Sequence, residues 1–62
     1  MCLSTAYKLS GGNEYKIGEY ISSMEVDGGT ITLIDILGGV TKITGSLKKV
    51  DLEKNVILIE AD

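Results

Sequence analysis

The sequence predicts an all-β fold: a small, strongly bent SH3-like barrel of five to seven short strands. Three observations carry this. Runs rich in Ile, Leu, Val, Thr and Tyr recur at intervals of about ten residues. Turn residues separate them, at Gly11-Gly12-Asn13, Asp27-Gly28-Gly29 and Gly38-Gly39. No segment of ordinary helix length repeats its apolar residues at the helical period, and the chain has no Pro. The 62 residues are read as one domain spanning 1–62.

Taken in order, Leu3, Thr5, Tyr7 and Leu9 alternate with Ser4, Ala6 and Lys8, the pattern of a half-buried strand. The larger residues are expected to face inward. Cys2 falls in phase with the small residues Ser4 and Ala6, which implies an outer or partner-facing position for its thiol. A hairpin turn at Ser10-Gly11-Gly12-Asn13 leads into a return strand over 14–21, with Tyr15, Ile17 and Ile21 on one face and a bulge at Gly18. Ser22 and Ser23 then introduce a separate short strand over 24–26, Met24 and Val26 inward. After the next turn, the stretch 30–37 is apolar on both faces in its second half. That places it centrally in the sheet or against a partner chain. Asp35 among these aliphatics is expected at a strand end or rim, because one carboxylate without a second acid or base forms no catalytic pair. Strands over 40–44 and 46–52 follow, with Gly45 as the bend and a break in alternation between Leu47 and Val50. Glu53-Lys54-Asn55 is a polar loop, and 56–60 is the closing strand. Lys48 and Lys49 read as solvated residues that discourage edge-to-edge pairing.

Composition excludes several classes of function. With no His, imidazole zinc sites and His general bases are absent, and one Cys cannot complete a four-ligand site within one chain. No nucleophile–base pair or carboxylate dyad can be assembled, so the chain is read as not an enzyme. The net charge of −3, with six Lys scattered except at Lys48-Lys49, argues against a nucleic-acid partner. A small-barrel RNA-binding module is kept as the alternative. No apolar run approaches the roughly 20 residues that span a bilayer, and an unpaired Cys suits the reducing cytoplasm. At this length a hydrophobic core is marginal, and self-association or a metal is a common support.

The chemistry of the chain is concentrated at its start. Cys2 stands next to the α-amino group of Met1, and a thiolate and an amine this close grip one metal ion through a small chelate ring. Sulfur and nitrogen donors in a square-planar arrangement point to Ni(II) or Cu(II). If Met1 is removed, the Cys2 amine and thiolate form a five-membered chelate, and two chains supply two nitrogens and two sulfurs. If Met1 stays, its amine, the deprotonated Cys2 amide and the thiolate offer a different set. The structural alternative is that a lone Cys serves as a small buried hydrophobe.

The opening Met1-Cys2-Leu3-Ser4, the glycine turns between aliphatic strands, and Gly45-Ser46-Leu47-Lys48-Lys49-Val50-Asp51-Leu52 followed by Ile57-Leu58-Ile59-Glu60 resemble the CooT family. Its members are small nickel-binding proteins, some associated with carbon monoxide dehydrogenase maturation and some labelled predicted RNA-binding. The resemblance implies a homodimer of small β-barrels with one Ni(II) held between protomers. It makes Cys2 the key ligand, with the adjoining N-terminal nitrogens of the Met1-Cys2 segment. A nickel enzyme or its maturation factors is then the expected partner. Val50 and Leu52 are expected to point inward, with Asp51 at a turn.

Overall fold

The computed structural model describes residues 3–61. It contains six strands: β1 (Ser4–Ser10), β2 (Asn13–Asp27), β3 (Thr30–Asp35), β4 (Val40–Thr44), β5 (Ser46–Asp51) and β6 (Val56–Glu60). They form one sheet in the order β4-β3-β2-β1-β6-β5. Every pairing is antiparallel except that of β1 with β6, which is parallel. The hydrogen-bonded ladder is open between β4 and β5, so barrel closure is not a feature of the pairing. The sheet nevertheless curls strongly enough for β3 and β5, which have three strands between them in the order, to touch.

Gly45 turns the chain from one edge of the sheet to the other. Its N–H donates to the Gly29 carbonyl (2.9 Å), and a methyl group built on it would overlap the Glu60 carbonyl oxygen. Only a residue without Cβ lets the β4–β5 corner lie this close to the backbone at the end of β6. At the same end, Gly11 and Gly12 both have positive φ (58° and 80°) between the paired residues Ser10 and Asn13. This is the two-residue hairpin that twisted strands favour.

Four sequence expectations change. The strands expected over 14–21 and 24–26 are one strand, β2. Register shifts near Gly18 and Ser22 bend it, so that it pairs first with β1 and then with β3. The strand expected over 30–37 stops at Asp35, and Ile36 and Leu37 lie in the following turn. In β1 the buried residue is Ala6, at 0% exposure, whereas Leu3, Thr5, Tyr7 and Leu9 are half-buried. Ala6 lies opposite Gly18 on one side and Ile57 on the other, with shifts in the β1–β2 register on both sides of it. The Ala6 face is therefore core and not a surface for a second chain. Lastly, Val26, Val50 and Leu52, all expected inward, are exposed, and so is Tyr15, expected on one face with Ile17 and Ile21.

The core consists of Ala6, Ile21, Ile31, Leu33, Ile57 and Ile59, with Ile17, Met24 and Ile43 packed against it. Each fully buried Ile or Leu contributes roughly 1.5–3 kcal/mol over leaving it exposed. Among the described residues no polar or charged side chain is buried.

Candidate functional site

Met1 and Cys2, the expected metal ligands, lie outside the described residues. The inference that Cys2 faces outward rested on its phase with Ala6, and the burial of Ala6 removes that premise. What the structure describes is the ground on which the chain starts. Ser4 lies opposite Ile21 of β2, and the Thr5 N–H donates to the Asn55 carbonyl (2.9 Å). The first strand thus emerges between the β2 bulge and the β5–β6 turn.

The bulge is strained. Tyr20 has φ +57°, a left-handed conformation that is an outlier for a bulky side chain and costs roughly 1–2 kcal/mol. Its carbonyl accepts a hydrogen bond from the Ile36 N–H (3.0 Å), which ties the bulge to the β3–β4 turn. Its side chain is 61% exposed.

That turn is organised by Asp35, at the strand end where the sequence placed it. One carboxylate oxygen, Oδ1, accepts from the Leu37 N–H (2.8 Å) and the Gly39 N–H (2.9 Å). The Asp35 N–H donates to the Gly39 carbonyl (2.9 Å), and the Gly38 N–H to the Asp35 carbonyl (3.0 Å). The loop is closed by its own polar groups, so Ile36 and Leu37 are left pointing away, Leu37 with 93% of its surface exposed.

A second carboxylate does the same on the other side of the chain start. Asp51 Oδ1 accepts from the N–H groups of Glu53 (3.1 Å) and Lys54 (2.9 Å), and Oδ2 lies 3.8 Å from Lys49 Nζ. The Lys54 N–H above all holds its carboxyl below the usual aspartate value; desolvation opposes this, and the Glu53 N–H and the Lys49 and Lys54 charges add to the lowering. Asp51 at a turn is as expected; Leu52 beside it is 83% exposed.

Two further local contacts involve lysines. Lys16 Nζ lies 2.9 Å from Glu19 Oε1, which raises the lysine pKa mainly through that hydrogen bond. Lys8 Nζ stands 5.7 Å from the centre of the Tyr15 ring, a cation–π contact. Among the described residues no group of three or more His, Cys, Asp or Glu could hold a metal ion. At the opposite end, an open concavity lined by Leu9, Gly12, Glu14, Gly45 and Glu60 brings only two carboxylates. Among the described residues no helix is long and apolar enough to cross a membrane.

The sequence reading missed Tyr20 as a surface residue and carried the strand through Ile36 and Leu37. A signal was present in Asp35 followed by Gly38-Gly39, the spacing of a carboxylate-capped turn, but the apolar run 33–37 outweighed it.

No curated protein matches the chain. A crystal structure described as that of a CooT from Carboxydothermus hydrogenoformans superimposes with a TM-score of 0.88 at 23% identity, covering 98% of both chains. The family model for the CO dehydrogenase accessory protein CooT matches residues 1–60. With all six strands inside that match, the chain belongs to the CooT family.

Proposed function

We propose that the chain is a non-catalytic, cytoplasmic nickel-binding protein that works as a homodimer in metal handling or in maturation of a nickel enzyme. Ni(II) is its cargo, held where two copies bring their Met1-Cys2 segments together. The observation that carries this reading is family membership over residues 1–60, a span that includes the Met-Cys start. The family description ties these proteins to CO dehydrogenase, an enzyme whose chemistry is nickel-dependent, and makes that enzyme or a maturation factor the proposed recipient.

The donor chemistry supports the same reading. One thiolate with an adjoining amine or amide nitrogen fills half of a square-planar site, and a second copy supplies the rest. Both donors must lose protons to bind, so affinity rises with pH. Thiolate sulfur is the softest donor in the sequence and the metal in turn favours the deprotonated thiol.

Titration of the purified protein with Ni(II) checks this directly. Thiolate-to-nickel charge-transfer absorption saturating at one metal per two chains is expected for the natural sequence, and its loss in Cys2→Ser. A Cys2→Ser variant that keeps full affinity in equilibrium dialysis contradicts the reading. The RNA-binding alternative requires oligonucleotide affinity that falls steeply with salt; the net charge of −3 and the pairing of Lys16 and Lys49 with carboxylates weigh against it.

A further inference from the structure

We propose that the free edge of β4 pairs with an extended peptide of another protein, one that alternates carboxylate and aliphatic side chains. Nothing in this depends on where nickel is held.

The phase of the β3–β4 ladder fixes which backbone groups are free. At one end the Gly45 N–H donates to the Gly29 carbonyl, and at the other the Asp35 N–H donates to the Gly39 carbonyl, both at 2.9 Å. Bonded and non-bonded pairs alternate along an antiparallel ladder. Between those ends, Thr41 opposite Leu33 and Ile43 opposite Ile31 are therefore the residues bonded to β3. The N–H and C=O groups of Val40, Lys42 and Thr44 point the other way. β4 is the last strand on its side of the sheet, and among the described residues no other bond takes these groups up. They are a template for one more strand.

The other free edges are less open to an acidic strand. β5, at the opposite side of the sheet, has a register shift between Leu47 and Lys49, a bulge of the kind that keeps edges from pairing. The later half of β2 pairs only with β3, but it carries Glu25 and Asp27. β4 runs in unbroken register, and four of its five residues are β-branched, as strand pairing favours.

Charge selects the occupant. Residues 40–50 hold three of the six lysines and no carboxylate, whereas the rest of the chain sets three lysines against nine carboxylates. Lys42 stands exposed at the middle of β4, and no ion pair holds it among the described residues. Lys48 and Lys49 follow around the Gly45 corner. A second β4 would set lysine against lysine, and a nucleic acid would leave the backbone edge unpaired. An acidic strand satisfies both the edge and the charge. Its residue beside Lys42 lies on the outer face and is a carboxylate. Its residues beside Thr41 and Ile43 lie on the face of buried Leu33 and Ile31 and are aliphatic.

Titration of the isotope-labelled full chain with a short capped peptide of alternating Val and Glu, in the presence of a chelator, tests the edge. Without peptide, the amides of Val40, Lys42 and Thr44 are expected to exchange fast and those of Thr41 and Ile43 slowly. With peptide, the first three should shift and exchange at least about tenfold more slowly. Lys42→Glu is expected to weaken binding about tenfold, and a peptide with Lys in place of Glu should not bind. Thr44→Pro removes one outward N–H while keeping the β3 ladder and the charge, so it should stay folded and lose the peptide. No response at about 1 mM peptide overturns the proposal. So does equal binding of the Lys peptide, undiminished binding by folded Thr44→Pro, or protection that falls on 22–27 or 46–51 instead. The same three amides responding to an oligonucleotide but not to the peptide, or to dilution of the chain alone, would assign the edge to nucleic acid or to a second copy and likewise overturn it. Should Thr44→Pro lose its circular dichroism signal, the exchange pattern of the natural chain decides.

Discussion

The two ends of this sheet are built on opposite principles. At one end the chain turns at Gly11-Gly12, Gly28-Gly29 and Gly45, where the backbone conformation or a close approach selects the residue and little side chain is displayed. At the other, where β1 begins, the turns are tied by the carboxylates of Asp35 and Asp51, and large apolar side chains stand outside them. A turn needs only a conformation; a turn that fixes its backbone with polar groups can also carry a side chain outward. The first end serves the fold, and the second is free to serve contact.

Substitutions should separate the two ends by their effect on stability. The largest loss is expected at the glycine end. Gly45→Ala places a methyl group against the Glu60 carbonyl and must move backbone, at a cost of about 3 kcal/mol or more. That corresponds to a melting temperature lower by more than about 12 °C, readable by calorimetry. Leu37→Ser at the other end, measured dilute enough to remove any dimer contribution, is expected within about 0.5 kcal/mol of the natural chain. Equal losses at both positions would dissolve the distinction.

Intermediate effects come from the carboxylate turn itself. Asp35→Ala removes the acceptor of two N–H groups and is expected to lower stability by about 1–2 kcal/mol, with faster amide exchange at Leu37 and Gly39. Tyr20→Gly goes the other way. It releases roughly 1–2 kcal/mol of left-handed strain while adding less than about 1 kcal/mol of unfolded-state freedom, so chemical denaturation should show equal or slightly higher stability of the dilute chain. A clear loss there would mean that the Tyr20 side chain supports the fold rather than a contact.

The smallest effect is one of pH. The Asp51 carboxyl is held below its usual value in the folded chain, so its contribution is fully present above the unfolded-state value and disappears as pH falls through the folded one. Acidification below the ordinary carboxylate range should therefore shift and speed exchange of the Glu53 and Lys54 amides, which Asp51 holds, before the glycine hairpins respond. Simultaneous change at both ends would count against local control by this carboxylate.

The same contrast explains what could be read from the sequence. Turns made by Gly are local facts, so Gly11-Gly12, Gly28-Gly29, Gly38-Gly39 and Gly45 marked the strand ends, and the all-β class followed. Asp35 and Asp51 were rightly placed at a strand end and a turn. Which face is inside depends on the curl of the whole sheet, and that is not local. Alternation in β1 favoured Tyr7 and Leu9 over Ala6 because size was taken as the guide to burial. The structure buries Ala6 between Gly18 and Ile57, where shifts in register break the regular pairing of β1 with β2. The same non-local curvature merged two expected strands into β2 through bulges at Gly18 and Ser22, and turned Val50 and Leu52 outward. The Met1-Cys2 start is an expectation of sequence chemistry alone, because its donors are adjacent in the chain and lie outside the described residues.

One measurement reaches the central claim, that two copies share one nickel through their Cys2 regions. Native mass spectrometry during Ni(II) titration counts chains and metal in the same ion and also reports whether Met1 is present. The account predicts a species of two chains with one Ni(II), absent in Cys2→Ser. A single chain that binds nickel by itself, or a Cys2→Ser dimer that still carries the metal, would contradict it.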